Sequence, residues 1–154
     1  MDIKPFLDKA ARFCARYETC IFDLRNKLHK WHVPEELHDQ IIEYLVENKF
    51  IDERRYAQSF VHDKFYLNHW GKRRIYYALI QKQIPEKAIN LALEQIDTQD
   101  YISTLKNLLT KKAQTIKTDD SLILKQKLIN YAVGRGYEPE VIYAIVNELL
   151  NRDL

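Results

Sequence analysis

Lys82-Gln83-Ile84-Pro85-Glu86-Lys87-Ala88-Ile89-Asn90-Leu91-Ala92 is the stretch on which the reading of this 154-residue chain turns. Proline at a first helical position gives up an amide that has no intrahelical partner there, and the glutamate beside it suits the positive end of the helix dipole. The same step returns at Pro34-Glu35 and Pro139-Glu140. Just before each stands a matching anchor, Val33, Ile84 and (with Glu138 inserted) Tyr137, spaced 51 and 53 residues apart. Counting forward by four, eight and twelve gives Leu37, Ile41, Leu45; Ala88, Ala92, Ile96; and Val141, Ile145, Leu149. All are apolar, at a spacing that keeps them on one helix face. Counting back nine gives Leu24, Ile75 and Leu128, and back two gives Trp31, Lys82 and Arg135. Such self-similarity marks tandem repeats, here over residues 1–50, 51–97 and 98–154.

Each repeat reads as three helices. The spacing predicts helices over 4–17, 20–31 and 34–48 in the first, and 53–68, 72–83 and 85–96 in the second. In the third they fall over 99–115, 120–134 and 138–151. Asp52 is a cap for the helix that follows it, Gly71 breaks the chain, and Asp119, Asp120 and Ser121 offer caps for the middle helix of the third repeat. Gly134 and Gly136 are expected to end that helix. One repeat alone buries too little surface to be comfortable. Three can share faces, and stacked repeats tend towards an elongated curved body. The expected fold is all-α, with three tandem three-helix repeats.

Composition excludes several classes. Only 3 Gly and 4 Pro punctuate a chain that is 46% hydrophobic and 30% charged, as short connections between helices require. The longest stretch without Asp, Glu, Lys or Arg is seven residues, as in Leu128 to Gly134, whereas a membrane span needs about twenty apolar ones. No basic-then-apolar leader opens the sequence, and the 2 cysteines, Cys14 and Cys20, cannot build a disulfide scaffold. The expectation is a cytoplasmic, non-membrane protein. Neither glycine-rich phosphate loop can be assembled from Gly71, Gly134 and Gly136.

A net charge of +2 names no partner by itself, but the charge is uneven. Lys64, Lys72, Arg73, Arg74 and Lys82 form a window with no acid, interleaved with Phe65, Tyr66, Trp70, Tyr76 and Tyr77. A second window, from Lys106 to Arg135, holds seven basic residues, among them Lys111, Lys112, Lys117, Lys125 and Lys127, against Asp119 and Asp120. Such cations pair with phosphates or acidic protein surface, and aromatic rings stack on bases. The plainer reading is that the rings are core and Lys72-Arg73-Arg74 is a solvated face. Asp52 with Glu53, and Glu35 with Glu36, are explained as helix-start residues. His29 and His32, or His62 and His69, lack a third ligand in a convincing position for a metal. Cys20 would need a neighbouring base to act as a nucleophile, and it reads instead as an inward-packing residue at a helix start. No catalytic group, metal site or cofactor is expected.

The run Phe50-Ile51-Asp52-Glu53-Arg54-Arg55-Tyr56-Ala57, then Phe60-Val61, Trp70-Gly71-Lys72-Arg73-Arg74-Ile75, Leu79, Lys82 and Ile84, resembles the core signature of the RecX family of recombination regulators. Asp23-Leu24-Arg25-Asn26-Lys27-Leu28 is similar to the family's acid-Leu-Arg-x-Lys-Leu helix, and Gly134-Arg135-Gly136-Tyr137 fits before the last helix. Three positions depart from the pattern: Ala78 where an acid is usual, Gln83 where glycine is usual, and Cys20 where many members have a capping serine.

The resemblance implies three helix-turn-helix-like repeats. It also implies a protein that binds the bacterial recombinase RecA in the groove of its filament on single-stranded DNA. Such proteins limit filament growth and damp the ATPase, strand-exchange and co-protease activities, in recombination, DNA repair and the SOS response. No cofactor or catalytic centre follows from it, and the chain is expected to act as a monomer. The residues expected to face the filament are Lys64, Lys72, Arg73, Arg74 and Lys82, then Lys111, Lys112, Lys117, Lys125 and Lys127. The alternative is a helix-turn-helix-type protein acting mainly on single- or double-stranded DNA itself.

Overall fold

The three anchor residues close the same backbone turn. The Val33, Ile84 and Tyr137 amides donate to Leu28, Leu79 and Ala132 carbonyls five residues back, at 3.0, 3.1 and 3.2 Å. In each case the preceding residue is left-handed: His32 at φ 58°, Gln83 at 61° and Gly136 at 97°. Those residues donate to carbonyls three back, on His29, Ile80 and Val133. Paired bonds of this kind satisfy the orphan carbonyls at a helix C-terminus. The sequence repeat is therefore also a repeat of backbone geometry.

A computed structural model describes residues 2–151. Among them are nine α-helices and no strand: α1 (Lys4–Arg16), α2 (Ile21–Lys30), α3 (His38–Glu47), α4 (Glu53–His62), α5 (Lys72–Gln81), α6 (Glu86–Leu93), α7 (Thr98–Thr115), α8 (Ser121–Arg135) and α9 (Pro139–Asn151). Periodic positions Leu24, Ile41, Leu45, Ile75, Ala88, Ala92, Ile96, Leu128 and Ile145 are buried, while Leu37, Val141 and Leu149 are half-buried. Asp52 accepts from the Arg54 and Arg55 amides, and Asp120 from those of Leu122 and Ile123, as capping residues do. None of the described helices is long and apolar enough to cross a membrane.

Three expectations need correction. The helix placed over 34–48 starts late: Glu35–Leu37 form a 3-10 turn, and α3 begins at His38. The buried His38 ring donates from Nε2 to the Val33 carbonyl at 2.9 Å, occupying the oxygen that a helix begun at Pro34 would use; the Leu37 amide bonds Pro34 instead. The helix placed over 53–68 is α-helical only to His62 and then widens into a π-helical stretch, Asp63–Leu67. Gly134 lies inside α8, and Gly136 alone ends it.

The described chain divides into two compact units, one made of residues up to Phe60 with Leu79–Ala92, the other of Val61–Ala78 with residues from Leu93 onward. In the first, α1, α2 and α3 enclose Ala10, Cys14, Leu24, Leu28, Ile41 and Leu45. Cys20 heads α2 without a side-chain cap. The Glu53 carboxylate supplies one from α4, accepting from the Ile21 amide, and burial pushes that carboxyl above the ordinary carboxylate range. In the second unit α7, α8 and α9 pack together around Leu105, Leu109, Leu128, Ala132, Ile142 and Val146. Phe65, Tyr101 and Tyr137 form a ring stack in the same unit, with centroids 5.5 and 5.1 Å apart.

Candidate interaction site at the start of helix α5

Gly71-Lys72-Arg73-Arg74 leads into α5, whose first turn contains three cations and no acid. Cations at the positive end of a helix are unfavourable by roughly 0.3–1 kcal/mol each. A sequence shaped for helix stability alone would place acids here, as α6 and α9 do with Glu86 and Glu140.

The backbone of this turn is held from outside the helix. The Gly71 amide donates to the Arg135 carbonyl at 2.8 Å and the Arg73 amide to the Gly136 carbonyl at 2.9 Å. Between them the Lys72 amide donates to the Tyr101 hydroxyl at 2.9 Å, and that hydroxyl donates in turn to the Glu138 carboxylate. Orphan amides of α5 thus meet carbonyls at the end of α8, which satisfies both helix ends. The approach requires glycine on both sides. A Cβ on Gly71 would lie 2.3 Å from the Gly136 backbone, and one on Gly136 would lie 2.3 Å from the Arg74 Cβ. Tyr137 reinforces the junction by donating to the His69 carbonyl at 2.9 Å, and the Arg135 guanidinium donates to that of Asn68.

The π-helical stretch sets Trp70 beside this junction, with the Trp70 amide donating to the Lys64 carbonyl at 2.9 Å. Two cations gather on its ring: the Arg74 guanidinium at 4.0 Å from the centroid and the Lys64 ammonium at 4.7 Å. The Lys72 ammonium lies 4.9 Å from the Tyr101 ring centroid. Each such contact contributes about 0.5–1 kcal/mol when exposed, so the rings offset part of the repulsion among the charges. Core packing was the plainer expectation for the interleaved rings. It holds for Phe65, which is fully buried, whereas Tyr66, Trp70 and Tyr76 are half-buried and Tyr77 is 56% exposed.

The other sequence candidates lie elsewhere. Lys82 belongs to the first unit, where its ammonium binds the Asp23 carboxylate at 2.8 and 2.9 Å; Tyr56 donates to the same group at 3.3 Å. Lys112 sits 5.0 Å from the Tyr131 ring centroid, Lys111, Lys117 and Lys127 are exposed, and Lys125 is half-buried. Sequence reasoning missed Tyr101, Arg135 and Glu138 as the groups that seat the α5 turn. The Gly134-Arg135-Gly136 pattern was the available signal, but nothing in it named Gly71 as the partner. Cys14 and Cys20 are buried, and burial pushes both thiols up to about 11, so neither is a nucleophile at neutral pH.

Residues 52–93 match the family description "RecX, second three-helix domain", and residues 99–146 match "RecX, third three-helix domain". The chain belongs to the RecX family. It is 30% identical over 135 residues to the regulatory protein RecX of Clostridium acetobutylicum, a match covering 85% of this chain and 62% of that protein. It is 32% identical over 133 residues to the regulatory protein RecX of Clostridium perfringens, with the same coverage. The chain thus spans less than two thirds of the length of these relatives. The crystal structure of RecX from Lactobacillus salivarius has the same fold, with a TM-score of 0.84 at 20% identity over 96% of both chains. Within the RecX matches, the start of α5 falls in the second domain, and Tyr101, Arg135, Gly136 and Glu138 fall in the third.

Proposed function

We propose that this chain is a regulator that binds RecA and its filament on single-stranded DNA and limits filament extension. The ATPase, strand-exchange and co-protease activities fall as a result. Family membership supports the class of function. The observation that carries the site is the set of three cations placed against the dipole of α5 and seated by a dedicated backbone junction. Selection for stability does not account for that arrangement, and an anionic partner does. Lys64, Lys72, Arg73 and Arg74 form the principal contact, with Lys111, Lys112, Lys117, Lys125 and Lys127 as a second set. Repeats at 1–50, 51–97 and 98–154 are the building units of a cytoplasmic monomer that works without a cofactor or catalytic centre. Several modest contacts along a filament raise the overall affinity above that of any one.

The test is RecA ATPase on single-stranded DNA, with this protein titrated in at two salt concentrations beside the Lys72→Ala, Arg73→Ala, Arg74→Ala variant. Inhibition by the wild type that the variant loses supports both the function and the site. No inhibition at either salt removes the regulator reading. A second reading, direct action on DNA, is favoured by the exposed Tyr77 one helical turn beyond Arg73. It requires binding that persists without RecA and falls steeply with salt.

A further inference from the structure

Lys72, Arg73, Tyr76, Tyr77, Leu93 and Glu138, all within the second compact unit, line a shallow recess of about 200 Å³ that is open to solvent. That is below the roughly 300–1,000 Å³ of a site for a whole drug-sized ligand, and suits one planar group held at its edges. The Tyr76 and Tyr77 rings meet at 84° with centroids 5.5 Å apart, so one presents its face where the other presents its edge. Tyr77 is 56% exposed although burying such a ring stabilises a fold. Cations stand at the start of α5, and a carboxylate stands at the other side of the recess, on the residue before α9.

We infer that this recess is a subsite for one unpaired nucleotide of single-stranded nucleic acid. The base stacks on Tyr77 with Leu93 beneath it, and Arg73 with Lys72 holds the adjoining phosphodiester. Glu138 is fixed by the Tyr101 hydroxyl, and its carboxylate accepts an N–H from the Watson–Crick edge. Every base has at least one such donor there, so the subsite tolerates all sequences. In a duplex that edge is paired and the faces are stacked, so double strands are excluded. The inference deepens the reading of the α5 cluster as facing the filament's anionic component, and it rests on that reading by naming the component as the DNA strand itself.

The test uses the intact protein without RecA. Fluorescence anisotropy is measured with a short labelled single strand, an abasic strand of equal length, and the duplex. The wild type is expected to bind the base-bearing strand more tightly than the abasic one. Tyr77→Ala should lose about 5- to 100-fold on the base-bearing strand and nothing on the abasic strand or the duplex, while Tyr77→Phe keeps wild-type affinity. Thermal melts of both variants confirm that the fold is intact. Equal binding of base-bearing and abasic strands, or wild-type affinity in Tyr77→Ala, overturns the subsite. So does a Tyr77→Ala defect confined to RecA ATPase assays, which would assign the ring to a protein contact. If the subsite fails while the wild type still inhibits RecA, the regulator reading stands. If Tyr77-dependent binding persists with no effect on RecA, that reading fails and the subsite stands.

Discussion

Replacing Gly71 by alanine would set a methyl carbon 2.3 Å from both the carbonyl carbon and the oxygen of Gly136 and 2.4 Å from the Tyr137 nitrogen. These are backbone atoms, so no side chain can swing away, and the two segments must separate. Separation removes the acceptors of the Gly71 and Arg73 amides and draws the Lys72 amide off the Tyr101 hydroxyl. Each bond contributes a net of about 0.5–1.5 kcal/mol, so the loss is about 2–4 kcal/mol. At about 2–4 °C per kcal/mol for a chain of this size, the melting temperature should fall by roughly 4–16 °C. Gly134→Ala is the control. A Cβ there meets nothing within 4 Å, and alanine inside a helix is favoured over glycine by about 1 kcal/mol, so this variant should melt slightly higher than wild type. Thermal unfolding followed by circular dichroism reads both. A Gly71→Ala melt within a degree of wild type, or two glycine variants shifted in the same direction, would refute the claim that this junction holds the start of α5.

Three further expectations follow from individual side chains. Gln83 sits at φ 61° at the end of α5, so Gln83→Gly should stabilise by about 0.5–1 kcal/mol in urea titrations; a loss of stability would show that its side chain holds the turn. Glu53 has its folded pKa raised by burial, so its contribution is most favourable below the ordinary carboxylate value and is lost as pH rises through the folded value. Glu53→Gln keeps an acceptor for the Ile21 amide, so it should be more stable than wild type at neutral pH, with a flatter stability profile above about pH 4. Cys14 and Cys20, with thiols pushed up to about 11 by burial, should resist a disulfide reagent at pH 8 until denaturant exposes them, and rapid labelling of the native protein would contradict that burial.

The repeat was legible because each copy writes it in one chain segment. An apolar residue at the anchor and others four, eight and twelve further on record burial on one helix face, and that burial is what the structure has at Ile41, Leu45, Ala88, Ala92 and Ile145. Caps at Asp52 and Asp120 were legible for the same reason, since a capping oxygen acts two or three residues away. At the start of α3 and of α2, groups from further along the chain decide what the local sequence does not. The His38 ring takes the Val33 carbonyl and delays α3. Glu53 caps α2 from across 32 residues, making up for a cysteine at the cap position.

The charged run itself was legible, but its meaning depended on partners that periodicity cannot supply. Lys72-Arg73-Arg74 and Lys82 looked alike in sequence, as cations without neighbouring acids. The fold separates them: Asp23, 59 residues earlier, neutralises Lys82, whereas Trp70 and Tyr101 gather the α5 cations without neutralising them. An aromatic face lowers the cost of crowded positive charge and leaves that charge available to an anion, which a carboxylate partner does not. Ring contacts of this kind leave the Arg74 and Lys72 charges electrostatically open, and so rank these two above Lys82 for the proposed filament contact. A charge-reversal series should follow the same order, with Arg74→Glu relieving RecA ATPase inhibition strongly. Lys82→Glu should instead act through the stability of the first unit, because it sets a second carboxylate against Asp23. If Lys82→Glu abolished inhibition while its melting temperature matched wild type, the ranking by ring contact would be wrong.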